Sequence, residues 1–229
     1  MVSFSHRDPG TDEAVWREGF AGRTLPAVDE TFEHLIVVAA HPDDETLGAA
    51  GLMARTVRRG AKVTVLIATD GEGSHPDSPS HAPAQLAAVR RREVADALDQ
   101  LSTAIDVEFL GLPDGGTDDH RETIAAALRA LLQGESACFV VAPWAGDGHR
   151  DHRVAAEVTA EVCSALDIPW REYPIWLWHW GSPDDTPWGD LEIVALDETT
   201  ADLKHAATQH HRSQIAPLSA APGDEVMLH

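Results

Sequence analysis

Short runs of apolar and β-branched residues alternate along this chain with longer segments of helical periodicity, and this alternation limits the possible fold most. The buried-strand candidates lie at 35–40, 62–69, 107–110 and 137–143. The helical segments, rich in Ala, Leu and Arg, lie at 47–59, 84–101, 121–132 and 152–166. Strand and helix in regular succession predict a Rossmann-like three-layer α/β sandwich with a mostly parallel central sheet.

The last third of the chain carries two further strand candidates and a final helix. The segment 173–180 alternates as a strand, which would place Trp176, Trp178 and Trp180 on one face. That face would form either a core at the sheet edge or the wall of a sugar pocket, since aromatic rings stack on sugars. A strand is also predicted over 191–197, and a helix over 200–213.

The length of the chain limits its possible domain organisation, and its charge limits the classes of partner. The 229 residues predict a single domain over 1–229, with residues 1–33 as an N-terminal extension packed on it. The chain has 38 acidic against 17 basic residues, a net charge of −21. Such a field repels nucleic acid and anionic lipid, so we expect a small-molecule partner, neutral or weakly charged, with a homo-oligomer left open.

The N-terminal residues, the short apolar runs and the cysteines predict a cytoplasmic protein. The first twenty residues lack the basic and apolar regions of a signal peptide, and no apolar run is long enough for a bilayer. Cys138 and Cys163 are too few for a disulfide framework or a Cys-rich zinc site, and we expect both as buried thiols.

The residues after the first predicted strand point to a cation. A dinucleotide-binding protein would have a glycine-rich turn there, but this chain has His-Pro-Asp-Asp-Glu at 41–45. His41 and Asp44, three residues apart in a strand-to-helix turn, can share a cation, while Asp43 must point elsewhere. The alternative interpretation is a helix N-cap cluster with a solvated histidine.

A second His/Asp cluster follows the fourth predicted strand, which we expect beside the first. It consists of His149, Arg150, Asp151 and His152 at the start of a helix. His41, Asp44 and His152 together form a set of two histidines and one carboxylate, which suits catalytic zinc and also ferrous iron. Alternatively, His149 and His152 are helix-start histidines bonded to the backbone.

The two clusters, in this order, resemble the PIG-L/LmbE-like family of zinc-dependent N-deacetylases. The resemblance covers nearly the whole chain. Further segments similar to the family are Asp70–Gly73, Arg90 with Glu93, Leu110–Asp114, and Lys204 with His211, Ser213 and Gln214.

The resemblance implies a role for each residue of the two clusters. His41, Asp44 and His152 would hold the zinc, and Asp43 would be the general base. Zinc lowers the pKa of bound water to roughly 7 and polarises the amide carbonyl. His149, as an imidazolium, would stabilise the tetrahedral oxyanion, and Asp151 would orient it and favour its charged form.

The resemblance also implies substrate contacts. Arg90 and Asp114 match positions that contact sugar hydroxyls or the remote end of the substrate. The alternatives are a helical ion pair between Arg90 and Glu93, and a turn residue at Asp114. Trp144, beside the predicted metal site, is the candidate for the pocket wall, and His211 has an uncertain, structural role.

The function implied is hydrolysis of the acetamide of an N-acetylglucosamine-type conjugate, releasing acetate and a free amine. Zn²⁺ would be the cofactor, with Fe²⁺ as the alternative metal in the cell. A second reading is an amidase of the same fold that acts on a thiol conjugate or an N-acyl glycoside. A third is a sugar- or metal-binding module without turnover.

Overall fold

The computed structural model describes residues 4–228, built around one sheet of five parallel strands. The spatial order of the strands is β3-β2-β1-β4-β5. In chain order the strands are β1 His34–Ala39, β2 Lys62–Thr69, β3 Ile105–Leu112, β4 Cys138–Pro143 and β5 Trp170–Tyr173. The helices are α1 Glu13–Phe20, α2 Asp44–Arg58, α3 Pro83–Leu101, α4 Arg121–Leu132, α5 Arg150–Leu166, α6 Leu177–Trp180, α7 Glu198–Thr208 and α8 Arg212–Ile215.

Helices cover both faces of the sheet, which confirms the predicted α/β sandwich. One apolar core lies between the sheet and α2, α3 and α7, and includes Leu35, Met53 and Val65. The other lies between the sheet and the pair α4 and α5, and includes Ile36 and Val158. Adjacent residues of β1 thus point into different cores, which explains why the whole strand is buried and apolar.

The central strand β1 pairs in parallel with both β2 and β4. The register places Val37 opposite Val141 of β4, so both strands end at the same edge of the sheet. This confirms that the strand before the second His/Asp cluster lies beside the first strand. The segments at 40–44 and 144–152 therefore meet at the carboxyl edge.

The predicted strand over 173–180 is wrong. Strand β5 ends at Tyr173, Pro174 follows it, and Leu177–Trp180 form the short helix α6. A buried carboxylate, that of Asp147, accepts the backbone N–H groups of residues 175, 176 and 177 and so turns the chain out of the sheet. The three tryptophans therefore do not share one strand face.

The end of the chain also differs from the prediction. The segment 191–197 makes only an isolated bridge between Ala27 and Ile193, because it passes beside β5 without joining the sheet. The predicted helix over 200–213 is interrupted, since α7 ends at Thr208 and α8 begins at Arg212.

The N-terminal segment contacts the body of the protein around α6. Thr11 donates its backbone N–H to the carbonyl of His179 at 2.9 Å. Trp16 donates its Nε1–H to the carbonyl of Trp178 at 2.9 Å, and the two indoles pack edge to face. Residues 1–3 lie outside the described residues, and the single-domain organisation stays a prediction. Among residues 4–228, no helix is long and apolar enough to cross a bilayer.

We expect Gly48→Ala to destabilise the protein, because α2 approaches the ring of Tyr173 at that glycine. A Cβ there would overlap the ring, which is held by a 2.6 Å hydrogen bond from its hydroxyl to the carbonyl of Val38. The expected loss in the free energy of unfolding, measured by urea denaturation, is about 1–3 kcal/mol. Gly189→Ala is the control, because nothing lies within 4 Å of its Cβ position. Equal stability of the two variants would contradict the packing described.

Candidate active site

The two His/Asp clusters line one cavity of about 330 Å³ at the carboxyl edge of the sheet. Its polar side carries His41, Asp43, Asp44, Asp114 and His149. The other lining residues are His6, Leu47, Gly73, Ser74, Pro76, Arg90, Ile175, Trp176, Gln214, Met227 and Leu228.

Asp44 presents one carboxylate oxygen to the interior of the site. Its Oδ2 accepts the backbone N–H groups of Ala40 and His41, each at 2.9 Å, which fixes the side chain at the start of α2. Its Oδ1 lies 3.3 Å from Nε2 of His152. Since the backbone occupies Oδ2, Oδ1 is the atom that remains to face His152.

His152 is held so that one ring nitrogen is directed into the site. Its Nδ1 lies 2.8 Å from Oδ2 of Asp147, and both side chains are fully buried. Its Nε2 is buried and has no hydrogen-bond partner among residues 4–228. A histidine whose Nδ1–H donates to a carboxylate has its Nε2 lone pair available for a metal ion. The unpartnered Nε2 of His152 is therefore suited to bind a metal ion.

His41 is supported in the same way from its opposite side. Its Nε2 lies 3.3 Å from Oδ2 of Asp151 and 3.2 Å from Oδ1 of Asp114. Asp151 is itself held by the backbone N–H of Gly115 at 2.8 Å and the hydroxyl of Thr117 at 2.6 Å. The other ring nitrogen, Nδ1, lies 3.6 Å from Oδ2 of Asp44 and faces the centre of the site.

The acids of the site favour positive charge on both histidines. Burial opposes that charge on His41, but hydrogen bonds to Asp114, Asp151 and Asp44 outweigh it and raise its pKa well above the usual range. Burial likewise opposes charge on His152, and Asp44 and Asp147 raise its pKa to about 9. A field that stabilises an imidazolium also stabilises a divalent cation at the same place.

More than one residue could supply the third ligand to a metal ion at this site. The ring nitrogens of His41, His149 and His152 lie within 4.8 Å of one another, as do ligand atoms of His41, Asp114 and Asp151. Nδ1 of His149, however, accepts the backbone N–H of Asp151 at 3.2 Å, so its proton is on Nε2. Because binding through Nε2 would require an imidazolate, the chemistry favours Asp44 over His149.

Asp43 is held apart from these groups in a strained backbone conformation. Its φ is 129°, and Oε2 of the buried Glu45 accepts its backbone N–H at 3.0 Å. Its carboxylate accepts a 3.0 Å hydrogen bond from Nη2 of Arg90. Burial raises the pKa of Asp43, Arg90 lowers it, and the net value is about 6. Strain of this kind is concentrated at functional sites, where the surrounding structure maintains it.

His149 caps the N-terminus of α5, and its surroundings differ from both predictions made for it. Burial and the charges of His41 and His152 lower its pKa to about 3, which disfavours the predicted imidazolium. The carboxylate of Asp151 does not orient it, because that carboxylate binds Gly115 and Thr117 and lies beside His41. The backbone of Asp151 orients the ring instead.

Asp114 and Arg90, both predicted to contact the substrate, lie in different surroundings. Asp114 lines the cavity, and its Oδ2 accepts the backbone N–H of Gly73 at 3.0 Å. Arg90 is buried and donates to the carboxylate of Asp43, to the carbonyl of Gly71 at 2.7 Å and to that of Pro42 at 2.5 Å. Its Nη1 and Nη2 therefore bind within the protein and Nη2 positions Asp43, whereas the buried Nε has no hydrogen-bond partner among residues 4–228.

The alternative interpretation of Arg90, a helical ion pair with Glu93, is wrong. Glu93 accepts the backbone N–H and the hydroxyl of Ser213, each at 2.7 Å, and so joins α3 to α8. His211, whose role the sequence left uncertain, is buried, with Nε2 3.0 Å from the hydroxyl of Thr46.

Trp144 does not line this cavity, which argues against its predicted place in the pocket wall. It borders a second, larger cavity of about 650 Å³ between the edge of the sheet and the segment 187–196. The aromatic wall of the His/Asp cavity is Trp176, which follows β5. Sequence reasoning also missed Asp147, although an acid two residues before His149 is a natural candidate to support His152.

The fold and this site define an α/β-sandwich enzyme whose histidines and carboxylates can hold a metal ion. The sequence profile of the PIG-L family, described as GlcNAc-PI de-N-acetylase, matches residues 36–163, more than half of the chain. The chain belongs to the PIG-L family of deacetylases, which are hydrolases that act on amide bonds.

Two individual relatives agree with this membership. The chain is 27% identical over 186 residues to a probable N-acetyl-alpha-D-glucosaminyl L-malate deacetylase 2 of Bacillus subtilis strain 168, covering 80% of this chain and 83% of that one. It is 31% identical over 200 residues to a 1D-myo-inositol 2-acetamido-2-deoxy-alpha-D-glucopyranoside deacetylase of Mycobacterium sp. strain JLS, covering 77% of this chain but only 63% of that relative.

The solved structure is the N,N'-diacetylchitobiose deacetylase of Pyrococcus horikoshii. It superposes with a TM-score of 0.63 at 21% identity, covering 90% of this chain and 80% of that chain. At that identity the superposition supports the fold alone.

Proposed function

We propose that this protein is a zinc-dependent N-deacetylase that hydrolyses the acetamide of an N-acetylglucosamine-type conjugate, releasing acetate and a free amine. One observation carries the proposal. Two histidines, each supported by its own buried carboxylate, face Asp44, while Asp43 is held separately beside them. The relatives named for N-acetylglucosaminyl substrates supply the substrate class.

His41, Asp44 and His152 would hold the zinc through Nδ1, Oδ1 and Nε2, the atoms that face the centre of the site. Zn²⁺, when bound, supplies a Lewis acid that polarises the amide carbonyl and makes water a stronger acid. Iron in the ferrous state is compatible with the same donor set. The supporting carboxylates fix the orientation of the two rings and make the ligand nitrogens more basic, which strengthens their bonds to a metal ion.

Asp43 would move the proton that the reaction transfers. Water adds to the amide carbon, and its proton passes to the carboxylate of Asp43. The same proton then passes to the amide nitrogen as the C–N bond breaks, which gives a neutral amine and acetic acid. The acid then releases its remaining proton to solvent and leaves as acetate. Arg90 and Glu45 keep the carboxylate in place by binding its oxygen and its backbone N–H.

His149 would stabilise the negative charge that develops on the carbonyl oxygen. Because its Nδ1 accepts the N–H of Asp151, its Nε2–H is available as a neutral donor. A single donor of this type contributes about 3–4 kcal/mol to stabilisation of the transition state. Asp151 would act through His41 rather than through His149.

The cavity suits one amino-sugar residue with an attached group. A volume of about 330 Å³ lies near the lower end of the usual range for small-molecule sites. Asp114, Ser74 and Gln214 offer polar atoms for sugar hydroxyls, whereas Leu47, Ile175 and Trp176 form an apolar wall.

We expect Trp176→Ala to raise KM for an N-acetylglucosaminide by roughly 2- to 10-fold, because stacking on an aromatic face contributes about 0.5–1.5 kcal/mol. Trp144→Ala is the matched control and should leave KM within twofold, since Trp144 borders the other cavity. Steady-state kinetics of both variants decide between the two tryptophans. A larger KM effect from Trp144 would restore it as the pocket wall.

A panel of amides on one glucosamine head group tests the proposed reaction. The zinc-loaded protein should release acetate from acetylated glucosaminides faster than it hydrolyses long N-acyl chains or thiol-conjugate amides. Faster hydrolysis of a long acyl chain would favour the alternative amidase. Binding of an N-acetylglucosaminide without any acetate release would favour a non-catalytic module.

A further inference from the structure

We propose that Asp147 couples occupancy of the metal site to the structure of the pocket wall at residues 175–177. The inference rests on the proposed metal site but not on the identity of the reaction. Asp147 touches neither substrate nor metal in this scheme, so it is a positioning residue. Its single carboxylate serves both a metal ligand and the segment that carries Trp176.

The contacts of Asp147 join these two parts directly. Its Oδ2 lies 2.8 Å from Nδ1 of His152 and accepts the backbone N–H of Trp176 at 2.9 Å. Its Oδ1 accepts the backbone N–H groups of Ile175 at 3.1 Å and Leu177 at 2.9 Å. The carboxylate is fully buried, so these four donors take the place of water.

The shared oxygen makes the two interactions interdependent. A cation on Nε2 of His152 makes its Nδ1–H more acidic, and the hydrogen bond to Asp147 then strengthens and fixes the carboxylate. A fixed carboxylate holds the three N–H groups at the turn after Pro174 more firmly. By linkage, a change in that turn must alter the metal affinity by the same free energy.

The second supporting carboxylate offers a matched comparison. Asp151 is also fully buried and lies beside the other proposed ligand, His41. Its remaining bonds go to Gly115 and Thr117, which follow β3 and belong to a different segment from Trp176. The structure therefore predicts two separate links, from His152 to residues 175–177 and from His41 to residues 115–117.

The first experiment uses the unaltered protein. Backbone amide exchange is measured by mass spectrometry on peptides covering residues 174–180, with the chelated protein compared with the zinc-loaded one. We expect slower exchange in this segment upon zinc loading, and His152→Ala, which lacks the ligand, should not show the change. Equal exchange in both states of the unaltered protein would overturn the coupling.

The second experiment compares Asp147→Asn with Asp151→Asn. An asparagine at 147 offers one acceptor oxygen, so its NH₂ must face either His152 and Trp176 or the other two N–H groups. We expect zinc affinity, measured by competition with a chromophoric chelator, to fall about 10- to 100-fold in both variants. Backbone amide exchange over residues 174–180 should become faster only in Asp147→Asn. Exchange over residues 113–118 should become faster only in Asp151→Asn.

Two outcomes of this comparison would overturn the inference. One is unchanged zinc affinity in Asp147→Asn, and the other is faster exchange over 174–180 in both variants alike. Neither measurement uses deacetylation, so a protein that binds zinc and shows the coupling without releasing acetate would disprove the proposed function alone.

Discussion

Asp43→Asn is expected to lower kcat by about 10²- to 10⁴-fold while the bound zinc stays at the level of the unaltered protein. An asparagine keeps the shape of the side chain but cannot accept the proton from water. It also has the length and branching of aspartate, so it adds no bulk at a position whose φ is 129°. Acetate release and metal analysis on the same sample measure the two quantities.

The control for Asp43→Asn is Asp70→Asn, which removes a carboxylate directly after β2. Asp70 is ion-paired with Arg91 at 2.7 Å and does not line the cavity, so kcat should remain within about twofold. If Asp43→Asn kept its zinc and more than a tenth of the activity, another group would have to be the base. The variant Arg90→Lys would then test whether Arg90 has a role other than positioning Asp43.

Asp44→Asn is expected to have the second large effect, the loss of the metal itself. The variant keeps an oxygen for the N–H groups of Ala40 and His41 but loses the charge that faces His152. Zinc content after dialysis should fall well below that of the unaltered protein, and activity should fall by roughly 10³-fold or more, because a metal ion contributes several kcal/mol.

Stability gives Asp44→Asn an independent readout. In the metal-free protein, burial raises the pKa of Asp44, but His152 and His41 lower it well below the usual range. Losing this favourable pairing should lower the free energy of unfolding of the metal-free protein. A variant with full zinc content would show that the three-histidine set, with His149, holds the metal instead.

The sheet and the positions of the two His/Asp clusters were predictable because their determinants are local. Buried parallel strands appear in the sequence as short apolar runs, and β2, Lys62–Thr69, matches its predicted range. The grouping of His41, Asp44 and His152 followed from placing their strands side by side, which the pairing of β1 with β4 confirms. Both arguments needed only strand order and residue spacing.

The errors arose where long-range contacts override a local pattern. The alternation over 173–180 is typical of a strand, but the carboxylate of Asp147, from another loop, takes the three N–H groups that a strand would use. Arg90 has a nearby acid at helical spacing, yet its partners lie in the turns after β1 and β2. Such partners are visible only once the chain is folded.

The topology also has a consequence for the order of folding. His41 and Asp151 contact each other across a separation of 110 residues, and that contact depends on pairing of the central strand with β4. Closing so long a loop is a late and slow event in folding. We therefore expect partly folded chains to have the two halves of the metal site apart. Zinc added during refolding should then slow unfolding more than it accelerates folding.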